Sequence, residues 1–349
     1  MTRQTTTACR KAGAAVRAGK GGNRPVLALC GGVGGAKLAL GLYRALAPDE
    51  LTVVANTGDD FEHLGLHVSP DIDTVLYTLA GLANPRTGWG RSDETWTFMS
   101  ALEALGGETW FRLGDGDLAL HVLRTAALKA GQSLSAVCGV VCRRLGIRAR
   151  VLPMSDDPVR TVVQTDGGPL PFQHYFVKLK CAPRVAAITF EGAATAKPHP
   201  AFMEALSDPR LRAVVICPSN PYLSIGPILA VPGVREALAA CCAPVVAVSP
   251  IVGGRAVKGP TAKIMEELGV PRTPAAVARH YEGLLDGFVL DQADGDKAAR
   301  AIPSPSALAQ TVMTSLEDRI ALAREVLAFA ERIDTRTRGA GTACKAAVP

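Results

Sequence analysis

Apolar residues fall along this chain in two alternating rhythms. Val26 to Cys30 (VLALC) and Leu51 to Ala55 (LTVVA) are short, continuously apolar runs with the character of strands buried on both faces. Between them, Ala36 to Ala47 repeats its apolar residues at helical spacing. Strand, helix and strand in that order predict a βαβ unit opening a parallel sheet. Helical spacing returns in Asp71 to Leu82, Ser92 to Leu105, Asp117 to Ala130 and Ser133 to Leu145, with Asp or Ser placed to cap the starts. Strands are predicted at Arg148 to Leu152, Val159 to Thr165, Val185 to Phe190, Ala213 to Cys217, Val245 to Ser249 and Gly287 to Leu290. Helices are predicted around 233 to 241, 261 to 268 and 274 to 285, and Gln310 to Ile333 reads as a long closing helix. The alternation predicts a doubly wound α/β fold on a mostly parallel sheet, with a helical insertion at about 85–147.

Composition narrows the class. With 48% apolar residues, 5% aromatics, 35 Gly and 24 Pro in 349 residues, the chain is too apolar for disorder and too punctuated for a coiled coil. No apolar run approaches the roughly 20 residues of a membrane-spanning helix, and the N-terminus lacks the apolar core of a secretory signal. No membrane partner is therefore expected. The net charge of +6 is matched by six cations (Arg3, Arg10, Lys11, Arg17, Lys20, Arg24) in a leading segment without acids, and the rest of the chain carries 32 charges of each sign. A balanced body is not the footprint of a nucleic-acid binder. The expected organisation is a disordered basic tail at 1–24, a single domain at 25–335 and a disordered tail at 336–349. Nine scattered cysteines with no Cys-x-x-Cys pair suit a reducing cytoplasm.

Ligands of open parallel sheets bind beyond the carboxyl ends of the strands, so the loops there hold the candidate chemistry. Gly31-Gly32-Val33-Gly34-Gly35-Ala36-Lys37 follows the first strand and opens a helix, an arrangement suited to a phosphate. It is neither a P-loop nor a full dinucleotide fingerprint, because Ala36 and Leu38 stand at the positions such a loop requires to be Gly and Ser/Thr, and Lys37 where the fingerprint's third Gly would be. After the second strand, Asn56-Thr57-Gly58-Asp59-Asp60 offers paired carboxylates for a metal or a hydroxyl nucleophile. In Ser69-Pro70-Asp71-Ile72-Asp73-Thr74, Asp71 reads as a helix cap and Asp73 as free to face a ligand. Arg112 precedes Leu113-Gly114-Asp115-Gly116-Asp117, where Arg112 suits a phosphate and Asp117 a cap.

Two later loops join them. Pro218-Ser219-Asn220-Pro221 is a stiff, small-residue turn after a strand, read as a substrate contact, and Lys258 and Lys263 flank another helix start. His63 and His67 have metal-ligand spacing, but Gly65 between them argues against a helix and no third ligand is evident. No Gly-x-Ser-x-Gly elbow or Cys–His pair is present. The residues together indicate a site for a phosphorylated substrate, without a covalent enzyme intermediate.

In order, GGVGGAKL, LTVVANTGDDF, SPDIDTVLY, LGDGDLALHVLRT, VLPMSDDPVRT, PSNPYLSIGPIL, VSPIVGGRAVKGPTAK and VMTS resemble the CofD/FbiA family, the 2-phospho-L-lactate transferases of coenzyme F(420) biosynthesis, from about Val26 to Ile333. The resemblance implies a Rossmann-like fold with an inserted helical lobe, a homodimer, and magnesium as cofactor. It implies attack by the ribityl 5′-hydroxyl of the deazaflavin FO on a guanylylated phospho-acid such as lactyl-2-diphospho-5′-guanosine, giving F(420)-0 or a variant and GMP. A donor-forming guanylyltransferase and an F(420)-0 glutamyl ligase would be its pathway neighbours. Asp73 and Arg112 match family contacts to FO. Gly31, Gly32, Val33, Gly34, Gly35, Lys37, Asn56, Ser219 and Asn220 are then expected on the donor, and Asp60 and Asp73 on magnesium or the attacking hydroxyl.

Two other readings stand beside this one. A YvcK-like nucleotide-sugar-binding regulator is disfavoured by the complete SPDIDT and SNP segments, and an NAD-dependent dehydrogenase by the missing third fingerprint glycine. Phospholactate, phosphoenolpyruvate and 3-phosphoglycerate differ too little for the sequence to choose among them.

Overall fold

The computed structural model describes residues 24–339, with 334–339 as helical backbone only. Apart from Arg24, the expected basic tail lies outside the described residues, as does 340–349 of the expected C-terminal tail. In chain order the elements are β1 (Val26–Cys30), α1 (Gly32–Ala45), β2 (Leu51–Ala55), β3 (Phe61–His63), β4 (Leu66–Val68), α2 (Pro70–Ala80), α3 (Thr97–Ala104), α4 (Asp115–Lys129) and α5 (Leu134–Arg144). There follow β5 (Arg150–Pro153), β6 (Arg160–Thr165), β7 (Gly168–Pro171), β8 (Val185–Glu191), α6 (Pro200–Ser207), β9 (Ala213–Ile216), α7 (Gly226–Ala230) and α8 (Val234–Ala240). The chain closes with β10 (Val245–Val248), β11 (Ile251–Val252), β12 (Arg255–Ala256), α9 (Thr261–Glu267), α10 (Pro274–His280), β13 (Gly287–Asp291), α11 (Gly295–Arg300), β14 (Ser306–Ala309) and α12 (Leu316–Gly339).

Seven strands form one sheet in the order β14-β13-β10-β9-β1-β2-β5, and every pairing in it is parallel. The fold is the expected α/β class. Alternate residues of each strand enter opposite cores, as the two-residue period of a strand requires. Ala28, Val53 and Val215 pack with α1, α2, α5 and α12, whereas Leu27, Leu29, Val54 and Val214 pack with α6, α7, α8 and α10. Each fully buried leucine of β1 contributes about 1.5–3 kcal/mol of transfer free energy. Within the stretch expected as an insertion, α5 buries Leu134, Cys138 and Cys142 in the same layer as α1.

The structure differs from the sequence reading in several places, among them the start of α3 at Thr97 rather than Ser92. The predicted strands Val159–Thr165 and Val185–Phe190 do not join the parallel sheet: β6 pairs antiparallel with both β7 and β8 in a separate three-stranded sheet. The Asp166-Gly167 turn joining β6 to β7 is a hairpin signal, and β8 alternates in exposure as a half-solvated strand does. The segment expected to start the closing helix at Gln310 is not helical, and α12 begins at Leu316, where Asp318 accepts the N–H groups of Thr314 and Ser315. Finally, α1 starts at Gly32 rather than Ala36, so the glycine-rich loop is itself the first helical turn.

Candidate active site

In this sheet, β1 lies between β2 on one side and β9 on the other, so the chain winds outward in both directions from the β1–β9 pair. Such a reversal opens a crevice at the carboxyl ends of the two strands. Two predicted loops meet there: the Gly31 N–H donates to Ser219 Oγ at 3.1 Å. A Cβ at Gly34 would collide with the carbonyl oxygen of Pro218, so glycine permits the close approach of α1 to this loop. Asn220 Oδ1 accepts from the N–H groups of Tyr222 and Leu223, while its Nδ2 is buried without a hydrogen-bond partner.

Carboxylates line the other side. Asp71 does not cap its own helix but reaches across to α1, where Oδ1 accepts the Gly32 N–H at 2.7 Å and Oδ2 accepts Asn56 Nδ2 at 2.9 Å. The first turn of α1 has thus spent two amides on protein partners, leaving Val33 and Gly34 as first-turn N–H groups without an intrahelical acceptor. Asn56 is internally committed as well, since it also donates to the Leu223 carbonyl and accepts the Gly58 N–H. Burial pushes Asp71 up to about 6 against the opposing bonds from Asn56 and Gly32. Burial, then the nearby Asp71 carboxylate, push Asp59 well above the usual carboxylate range. Asp60 Oδ2 accepts from Ser69 Oγ and lies 3.1 Å from His67 Nε2. Asp59 Oδ1 and Asp60 Oδ1 are both buried and unpartnered.

Asp73, two residues beyond Asp71, has a different environment. Both of its oxygens bind the guanidinium of Arg124, which is 1% exposed. Burial raises the Asp73 carboxyl while Arg124 pulls it down. Burial opposes the charge on Arg124, yet Asp73 outweighs it and raises the guanidinium's affinity for its proton. His121 stands 3.3 Å from Arg124 and 3.3 Å from Asp117, and the Tyr77 hydroxyl donates to Asp117 at 2.6 Å.

Not all predicted residues join this centre. Arg112 is exposed and stacks on Trp96, 4.2 Å from the ring centroid. Lys37 donates to the Met313 carbonyl at 2.9 Å, and burial, then Arg319 and Lys258, lower its proton affinity. The histidine pair of the metal-spacing motif is split by the β3–β4 hairpin: His63 packs against Trp110 and Phe111, and His67 turns to Asp60. Asp117 does not cap α4, because Glu94 accepts the N–H groups of Gly116 and Asp117.

Sequence reasoning missed His121, Arg124 and Tyr77. A signal was present, since Asp117, His121 and Arg124 recur at i, i+4 and i+7 of α4, which places three ionisable groups on one stripe. Beside the Asp59–Asp60 pair lies a cavity of about 310 Å³ lined by Phe61, Trp110 and Phe172 together with the polar Arg160, Gln173 and His174. Thr161 Oγ1, also on its lining, is buried and unpartnered. Apolar walls with a few convergent polar groups are the usual make-up of a small-molecule pocket.

Comparisons agree with this architecture. A protein of the UPF0052 family from Bacillus halodurans has the same fold, with a TM-score of 0.57 at 16% identity over 87% of this chain and 99% of that one. A phosphoenolpyruvate transferase of Streptomyces griseus subsp. griseus is 45% identical over 323 residues, 88% of this chain and 99% of its own. The 2-phospho-L-lactate transferase of Methanocaldococcus jannaschii is 39% identical over 308 residues, 87% and 97% of the two chains. The family profile described as 2-phospho-L-lactate transferase CofD matches residues 26–325. With the whole sheet, both sides of the β1–β9 crevice and the carboxylate cluster inside that match, the chain belongs to the CofD family of transferases of coenzyme F(420) biosynthesis.

Proposed function

We propose that this protein transfers a three-carbon phospho-acid from a guanosine-diphosphate-linked donor to the ribityl 5′-hydroxyl of FO, releasing GMP. Phosphoenolpyruvate is the favoured acid, because relatives named for it, at 45% identity, exceed the Methanocaldococcus jannaschii enzyme named for phospholactate, at 39%. The observation that carries the reading is the pair of unpartnered buried oxygens on Asp59 and Asp60, beside the crevice where α1 meets the Ser219–Asn220 loop.

Two adjacent buried carboxylates, each with an orphaned oxygen, fit a divalent cation, which those oxygens would ligate. Asp59 and Asp60 would hold magnesium, and the ion would neutralise charge on the diphosphate. The Arg124 pair occupies both oxygens of Asp73, which suits Asp73 to orienting the hydroxyl and separates it from the cation. Asn220 Nδ2 and the first-turn amides of α1 would bind the donor's phosphates. The acceptor oxygen bonds to the phosphorus bearing the acid, the bridging P–O bond breaks, GMP departs, and the hydroxyl proton passes to Asp73. Positioning and charge neutralisation suffice for such a transfer, so no covalent intermediate is required.

The test supplies FO, GTP, a donor-forming guanylyltransferase and each of the three acids, then identifies the deazaflavin product by mass. A dominant dehydro product is expected. No product from any acid would overturn the proposal.

A further inference from the structure

We infer that Arg124 is the positioning residue of the acceptor side: it fixes the plane of the Asp73 carboxylate and ties it to the Asp60 loop. The inference rests on Asp73 contacting the acceptor hydroxyl. Asp73, Asp117 and His121 present ligand atoms within 4.8 Å of one another, a set that matches a cation site in composition. Here the cation is the protein's own, since Arg124 places both terminal nitrogens on Asp73. A guanidinium fork determines the orientation of a carboxylate as well as its charge, which a point charge does not. The same Nη1 lies 3.5 Å from the carbonyl oxygen of His67, whose ring in turn meets Asp60 at 3.1 Å. One side chain therefore connects α4, α2 and β4, the strand whose His67 meets Asp60. Behind it, His121 and Asp117 continue to the Tyr77 hydroxyl, so the far end of the network returns to the helix that carries Asp73.

A simple brace between α2 and α4 would use the same contacts, and a double-mutant cycle separates the two roles. The cycle comprises Asp73→Asn, Arg124→Gln and the double variant, in which no buried charge is left alone. In each, kcat and KM are measured separately for acceptor and donor. Positioning through Asp73 requires Arg124→Gln to lower kcat/KM for the acceptor by about 100-fold, with the donor's KM unchanged. The double variant should be no slower than Asp73→Asn. If Arg124→Gln does not fold, Arg124→Lys takes its place in the cycle, keeping the charge without the fork. Penalties that multiply in the double variant, or a folded Arg124 variant with the parent's kinetics, would overturn the inference. Unchanged kinetics in Asp73→Asn would instead overturn the role of Asp73, and this inference with it.

Discussion

The carboxylate of Asp71, carried on α2, ends 2.7 Å from the backbone N–H of Gly32 at the start of α1. A negative charge there is stabilised by the helix dipole, but it also occupies the position that a bound anion would take. The donor is consequently expected to meet a first turn already partly neutralised, with a cation and Asn220 supplying the remaining attraction.

Asp59→Asn and Asp60→Asn are expected to abolish the magnesium dependence of turnover and lower kcat by about 100-fold or more. In the metal-free protein, Asp59→Asn should raise stability on the order of 1 kcal/mol, because a crowded buried carboxylate is removed. Denaturation with chelator present, set beside activity against magnesium concentration, checks both halves. A destabilised Asp59→Asn with intact metal activation would contradict them.

Asp71 gives the metal-free protein a pH signature. Its folded carboxyl keeps the proton up to about 6, whereas the ordinary value is 3.8. The folded state thus binds more protons than the unfolded one across that window, and stability falls as pH rises from about 4 to about 6. Asp71→Asn should remove this component, so the difference in unfolding free energy between the two proteins should vary over that range. Parallel stability curves would rule it out.

Gly34→Ala places a methyl group against the Pro218 carbonyl. Overpacking at backbone costs about 1–3 kcal/mol, and the displaced α1 start should raise the donor's KM more than the acceptor's. Thermal unfolding and steady-state kinetics would reveal this. An unchanged donor KM would separate the glycine from the donor site.

Arg112→Ala removes an exposed stack on Trp96 and should change stability by less than about 1 kcal/mol. Its expected effect is a higher KM for FO, and unaltered FO kinetics would take Arg112 out of the site.

The strands of the central sheet were legible because burial on both faces leaves a continuous apolar run. β1 and β2 begin and end where their residues predict. β8 alternates in exposure instead, but β6 buries three residues in a row, so its place in a separate antiparallel sheet was not legible from burial pattern alone. Helix caps were only partly readable: Ser133 caps α5 as predicted, but several others come from other elements, since Asp71 serves α1, Glu94 serves α4, and Asp115 accepts the N–H groups of Thr97 and Phe98 at the start of α3. Asp60, Asp73 and Ser219 were recognisable by residue type and strand-end position. Arg124 was not, since a lone arginine on a helix usually faces solvent, and only its three-dimensional partners distinguish it.

The placement of β1 in mid-sheet also bears on how the chain emerges from the ribosome. Gly31 and Ser219 are 188 residues apart, so at about 5–20 residues per second synthesis takes roughly 10–40 s to deliver the second wall of the crevice after the first. During that interval the wholly apolar β1 has β2 on one edge and nothing of its native partner on the other. An open edge of this kind invites pairing with another chain. The protein should therefore depend on chaperones most while its N-terminal half alone is exposed, and fragments ending before β9 should aggregate.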